Sequence, residues 1–160
     1  MGLDQYLYRR EYVSAYAFQK DTDKGIREAN IYNEIIRNFG VERCEDSPHL
    51  TVEMCVGYWR KANAVHKWFC DLDGGRDECQ EIEVPREKLV ELRDLCKQVV
   101  REPAMAGDVL PPQEGFFFGS YEIDEWYMND MKHTVTMLDN ILSSTPEEGW
   151  STSFTYRASW

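Results

Sequence analysis

Positive charge is scarce in this sequence, histidine is scarcer, and no long apolar run occurs. Against 29 acids stand 18 Lys and Arg, giving a formal net charge of −11 over 160 residues. A field of that sign repels phosphate backbones and disfavours binding to duplex nucleic acid through a basic face. The same acidity would let a protein imitate a nucleic acid and occupy a basic groove, although acidity more commonly serves solubility. No segment approaches the ~20 consecutive apolar residues of a membrane span. The opening Met1-Gly-Leu-Asp-Gln-Tyr has no apolar signal core, and Tyr6 stands where a myristoylation signal requires Ser or Thr. The expectation is a cytoplasmic protein without membrane contact.

Other absences narrow the chemistry. The five cysteines, Cys44, Cys55, Cys70, Cys79 and Cys96, are irregularly spaced and include no Cys-x-x-Cys pair, against both a disulfide framework and a zinc ribbon. There is no Gly-x-Gly-x-x-Gly, Walker loop, Gly-x-Ser-x-Gly elbow or His-Glu-x-x-His. Asp71, Asp73 and Asp77 with Gly74 resemble part of a calcium loop, but the spacing is wrong and Ile82 stands where a bidentate Glu is needed. His66, Cys70, Asp73 and Cys79 could converge on zinc, yet their spacing does not recur in structural sites. The expectation is therefore no metal and no cofactor. His49, His66 and His133 could act as general bases, and Cys70 as a nucleophile, only where folding supplies partners.

What is present suits one folded domain spanning residues 1–160, with 42% apolar and 13% aromatic residues. Residues 5–13 alternate, with Tyr6, Tyr8, Arg10 and Tyr12 on one face, which predicts a strand. From Gly25, Ile26, Ile31, Ile35, Ile36 and Phe39 approximate helical spacing, and Gly40 supplies a stop. Leu50, Val52, Met54 and Val56 alternate in a strand over His49–Val56. Asp71–Gln80 reads as a turn-rich loop and Glu81–Val84 as a short strand. Pro85 opens a helix with a buried stripe of Leu89, Leu92, Cys96 and Val99. Pro103 to Gly115 reads as a long irregular connection, and Phe116–Ile123 as a strand or extended approach. Asp124 caps a last helix, with Tyr127, Met131, Val135, Leu138, Ile141 and Leu142 inward, closing near Ser144. Trp150–Tyr156 returns as a strand beside the first. The sum is an α+β fold, about four helices packed on a small, mainly antiparallel sheet.

Tyr58-Trp-Arg-Lys-Ala-Asn-Ala-Val-His-Lys-Trp-Phe69 is the one strongly basic segment, with three cations and no acid. Read as a helix, it puts Tyr58, Ala62, Val65 and Phe69 on the core face and Arg60, Asn63 and Lys67 opposite. Trp59 and His66 flank that polar face. Flat aromatic surface beside donors suits a planar anion such as a nucleotide. A solvated polar face with its tryptophans packed under neighbouring elements is the plainer alternative. A second cluster runs from Gly115-Phe-Phe-Phe-Gly into Glu122, Asp124, Glu125, Trp126 and Asp130. Three adjacent Phe cannot share one strand face, which leaves room for a homo-oligomer. The acids and Trp126 could dock on a partner's Arg-rich groove, or could simply form a helix's first turn, where the dipole favours acids.

The opening Met1-Gly-Leu-Asp-x-Tyr-Leu, the central Tyr58–Phe69 segment, Gly115-Phe-Phe-Phe-Gly-Ser and the closing Tyr156-Arg-Ala-Ser-Trp together resemble an uncharacterised family of small acidic phage and prophage proteins. Gln5 stands where that family would have Met, a departure read as lying on an exposed or edge strand. The resemblance implies no activity or site residue, only a context in which small phage proteins act on host machinery, defence included. Three functions follow, in order of preference. The first is capture of a small anionic, nucleotide-like ligand by Trp59, Arg60, Asn63, His66 and Lys67, with Tyr6 or Tyr8 stacking, so as to counter host defence. The second is inhibition of a host complex, such as one that binds nucleic acid, through Glu122, Asp124, Glu125, Trp126 and Asp130. The third is an enzyme acting on a nucleotide or phosphorylated substrate, with His66 as acid or base.

Overall fold

The computed structural model describes residues 2–19, 21–113, 115, 120–145 and 151–160. Strands β1 (Asp4–Ser14), β2 (His49–Arg60), β3 (Ile82–Glu83) and β4 (Thr152–Ser159) form one antiparallel sheet in the order β2-β1-β4-β3. Its helices among the described residues are α1 (Asp23–Phe39), α2 (Asn63–Leu72), α3 (Arg86–Arg101), the short α4 (Ala106–Val109) and α5 (Glu125–Ser143). The α+β architecture is as expected, with one helix more than expected because α4 and a 3-10 turn at Pro103–Met105 occupy the stretch read as irregular. Ala106 and Leu110 bury their side chains there. Phe116–Gly119 and Trp150 lie outside the described residues, and Ser120–Asp124 is not strand.

The alternation of β1 sends Leu3, Gln5 and Leu7 into the core and Tyr6, Tyr8, Arg10 and Tyr12 to the other face. β4 answers with Phe154, Tyr156 and Ala158 inward. Gln5 is completely buried on a central strand, a correction to its reading as an exposed or edge position. The apolar stripe of α3, with Leu89, Leu92, Cys96 and Val99 all fully buried, meets Met131, Leu138 and Leu142 of α5 in the main core. Asp124 caps α5 by accepting from the Tyr127 N–H at 3.0 Å. Thr22 caps α1 in the same way, and Gly40 ends that helix in the left-handed region at φ 64°.

Two sequence expectations fail for tertiary reasons. On α1 the contact face is Ala29, Tyr32 and Ile36, packed on Val13, Leu50 and Val52, while Ile26 and Phe39 are exposed. The second failure matters more. β2 does not end at Val56 but runs to Arg60, and the basic segment is split between a strand and a helix. Leu7 pairs with Gly57 and Tyr8 with Cys55, so Val56 is an extra residue bulged out of the ladder. Before the bulge, Leu50 and Val52 face the core; after it, Gly57 and Trp59 do. The strand turns into α2 at Lys61, which takes a left-handed φ of 60° and donates its N–H to the Leu3 carbonyl at 2.8 Å.

Candidate functional site

The break at Lys61 redistributes the residues expected to form one ligand face. Trp59, 2% exposed, points into the core, where its Nε1 donates to Thr134 Oγ1 at 2.9 Å and its ring lies edge-on to Phe69. His66 is also core. Tyr58, assigned to a buried helix face, is instead an exposed strand residue. Tyr6 and Tyr8 lie with it on the outer face of the sheet, where the Tyr6 ring is 5.4 Å from that of Tyr58 and Tyr8 packs under Arg157. Lys67 pairs with Asp71 at 2.5 Å, one helical turn on. Trp59, His66, Lys67, Tyr6 and Tyr8 are thus not brought together with Arg60 and Asn63 into one site.

A different grouping forms instead. A cleft of about 310 Å³ lies between the β2–α2 corner and the start of α5. Arg60, Lys61, Asn63 and Ala64 line one side; Glu122, Asp124, Trp126 and Asp130 line the other. Residues from the two clusters that the sequence presents separately therefore meet here; Glu125 stays outside. Neither Arg60 nor Lys61 forms an ion pair with a described residue, whereas Arg10, Arg43, Arg93 and Arg157 all do. Ala62 holds the cap position of α2 and has no side-chain oxygen to offer the first-turn N–H groups. Asn63 is buried, its amide nitrogen donating to the Ser120 carbonyl at 2.7 Å, which ties the two walls together. Trp126 is 77% exposed at the rim. Burial pushes the Asp130 carboxyl up to about 6, with His133 opposing and Asp124 adding to the shift.

This geometry can hold an anionic group over Arg60, Lys61 and the start of α2, against a flat group resting on Trp126. Asp124 and Asp130 are placed to accept hydrogen bonds from donors on such a ligand. Lys61 is a site residue the sequence reading did not single out; its signal, a cation at a strand–helix junction, exists only once the break is known.

A second cluster lies behind α2. His66, 1% exposed, has Nδ1 2.7 Å from the Tyr156 hydroxyl and Nε2 2.9 Å from Asp77 Oδ1. Cys70 Sγ is 3.6 Å from the same Nε2. Gln113 donates to the other Asp77 oxygen at 3.2 Å. Asp73, one of the four residues considered for zinc, turns away to Arg76 and Gln80. Burial keeps His66 below its ordinary pKa against the pull of Asp77, and burial pushes the Cys70 thiol up to about 12. Burial thus disfavours the Cys70 thiolate in the absence of a compensating cation. His66 does not line the cleft and is no acid or base for a ligand bound there.

No helix among the described residues is long and apolar enough to cross a membrane. Compared with family models, with curated proteins and with solved structures, the chain matches none.

Proposed function

We propose that this protein captures a small anionic, nucleotide-like molecule in the cleft between the β2–α2 corner and α5. The observation that supports this is the pairing of two cations without ion-pair partners among the described residues, Arg60 and Lys61, with the exposed ring of Trp126 across a cleft of about 310 Å³. In a chain of formal charge −11, two cations on one wall of a concavity, in no ion pair with a described residue, favour an anionic group against that wall. The volume is near the lower end of the roughly 300–1,000 Å³ of small-molecule sites, which suits a single nucleotide better than a polymer. The acids opposite give the preference its shape: phosphate on Arg60 and Lys61, base on Trp126, exocyclic donors toward Asp124 and Asp130. Capture requires no chemistry, and the resemblance to phage proteins supplies the use, removal of a signal that host defence depends on.

Calorimetric titration with a panel of mono- and dinucleotides tests the reading. At least one should bind with a 1:1 stoichiometry and lose tenfold or more in affinity in Arg60→Ala and in Lys61→Ala. Absence of binding across the panel, with a host protein retained instead in a manner sensitive to Glu122→Lys and Glu125→Lys, would replace capture by the inhibitor reading.

A further inference from the structure

We propose that His66 Nε2, Cys70 Sγ and the Asp77 carboxylate form a binding site for a zinc-class divalent cation. This rests on the cluster behind α2 and is independent of the cleft.

The three potential ligand atoms all lie within 4.8 Å of one another. Bonds of about 2.0–2.3 Å at tetrahedral angles require ligand atoms roughly 3.3–3.8 Å apart. Cys70 already stands 3.6 Å from His66 Nε2, and Asp77, at 2.9 Å, needs to withdraw by less than an ångström. Two of the ligands come from one rigid element: residues 66 and 70 are one turn apart on α2 and share its buried face. The third arrives on the loop after α2, beyond Gly74 and Gly75, whose positive φ angles of 69° and 80° turn the chain back.

Donor chemistry sets the class of ion. Imidazole nitrogen and thiolate sulfur select borderline-soft cations and reject calcium and magnesium, which require oxygen shells. One thiolate, one carboxylate and one neutral imidazole neutralise a divalent charge, the least costly arrangement for a buried site.

Tyr156 supplies the orienting contact. Its hydroxyl, 2.7 Å from Nδ1, can donate to that nitrogen when Nε2–H points at Asp77, and can accept from Nδ1–H when Nε2 holds a metal. His66 thus stays neutral by exchanging tautomers, and binding releases one proton, from Cys70. The space beside the cluster, walled by Cys79, Gln80 and Trp160, has no volume for a water-sized occupant. The ion accordingly serves as a clamp holding the Asp77 loop on α2, with no room for a substrate.

Cobalt(II) is the probe, titrated into the full-length chain after chelator treatment. One equivalent should bind, with visible d–d bands and a near-ultraviolet thiolate charge-transfer band. The charge-transfer band should vanish in Cys70→Ser and persist when Cys44, Cys55 and Cys79 are all changed to Ser. No stoichiometric binding, or a band that survives Cys70→Ser, overturns the proposal. Asp77→Asn guards against a folding artefact, because the amide oxygen still reaches His66 and the side chain is only half-buried. Zinc should raise the melting temperature of wild type and not that of Asp77→Asn; an equal rise in both, or none in wild type, also overturns it.

Discussion

Gln5 holds Ala62 by both of its backbone groups: Nε2 donates to the Ala62 carbonyl at 3.1 Å, and Oε1 accepts from the Ala62 N–H at 3.0 Å. The side chain of a central strand thereby bonds both peptide groups of the residue that caps α2, where both residues are buried. Removing it strands the buried Ala62 N–H, while the Ala62 carbonyl still accepts from the His66 N–H at 3.0 Å. Gln5→Met, which keeps the volume, should cost about 1–3 kcal/mol in urea unfolding. A loss under about 0.5 kcal/mol would mean that the corner finds other partners.

Gly57 faces a similar constraint of space. A Cβ there would fall 2.8 Å from Met137 Sδ and 3.1 Å from Leu7 Cβ, one a side chain on α5 and the other on the neighbouring strand. Gly57→Ala should destabilise by about 1–3 kcal/mol. Combining it with Met137→Ala should recover part of the loss, so that the two changes together cost less than their sum.

Trp59 and Trp126 separate folding from binding. Trp59→Phe leaves Thr134 Oγ1 without its indole partner and opens space in the core, so a loss of about 1–3 kcal/mol in stability is expected, with nucleotide affinity little changed. Trp126→Ala, at an exposed rim position, should leave the melting curve within about 0.5 kcal/mol of wild type while weakening nucleotide binding. Paired thermal and calorimetric measurements on both variants test this; a reversed pattern would place the aromatic contribution to binding at Trp59.

Asp130 gives stability a pH dependence of definite sign. Its folded-state pKa of about 6 lies above the ordinary 3.8, so between those values the unfolded chain has lost a proton that the folded chain still holds. Stability contributed by Asp130 therefore falls as pH rises through that window. Asp124 at the cap of α5, His133 on that helix, Glu122, and Arg60 and Lys61 across the cleft are charged groups around it. Asp130→Asn should be more stable than wild type by about 1 kcal/mol at pH 7, after allowance for solvent screening, and by only about 0.2 kcal/mol at pH 4. Thermal melts at the two pH values decide it.

Where local pattern and tertiary structure agree, the sequence is readable. α3 is the clear instance: Pro85 starts it, and its four inward residues recur at helical spacing that no other contact overrides. β1 and the return of β4 beside it follow from alternation alone. The Tyr58–Phe69 segment misleads because Tyr58, Ala62, Val65 and Phe69 match a helical face as well as three of them match the real one. What decides the break is remote, the Leu3 carbonyl and the Gln5 amide, more than fifty residues upstream. The cleft was legible only as two separate halves, since nothing local joins Arg60 to Asp130. The His66–Cys70 pair was visible as an i, i+4 spacing, but Asp77 replaces Asp73 as its third member because the glycine turn carries the chain past Asp73 before bringing it back.

Val56 counts for more than its own contacts. On β2 the inward residues carry even numbers up to the bulge and odd numbers after it, so one unpaired residue acts as a change of phase. Deleting Val56 would leave Gly57 and Trp59 inward, whereas keeping it and pairing it with Leu7 in place of Gly57 would impose a single parity along the whole strand. With β1 fixed, that slip would drive Tyr58 and Arg60 toward the core and Trp59 toward water. The protein's most basic stretch reaches the cleft by grace of an odd residue, and its length there is as much a part of the code as its chemistry.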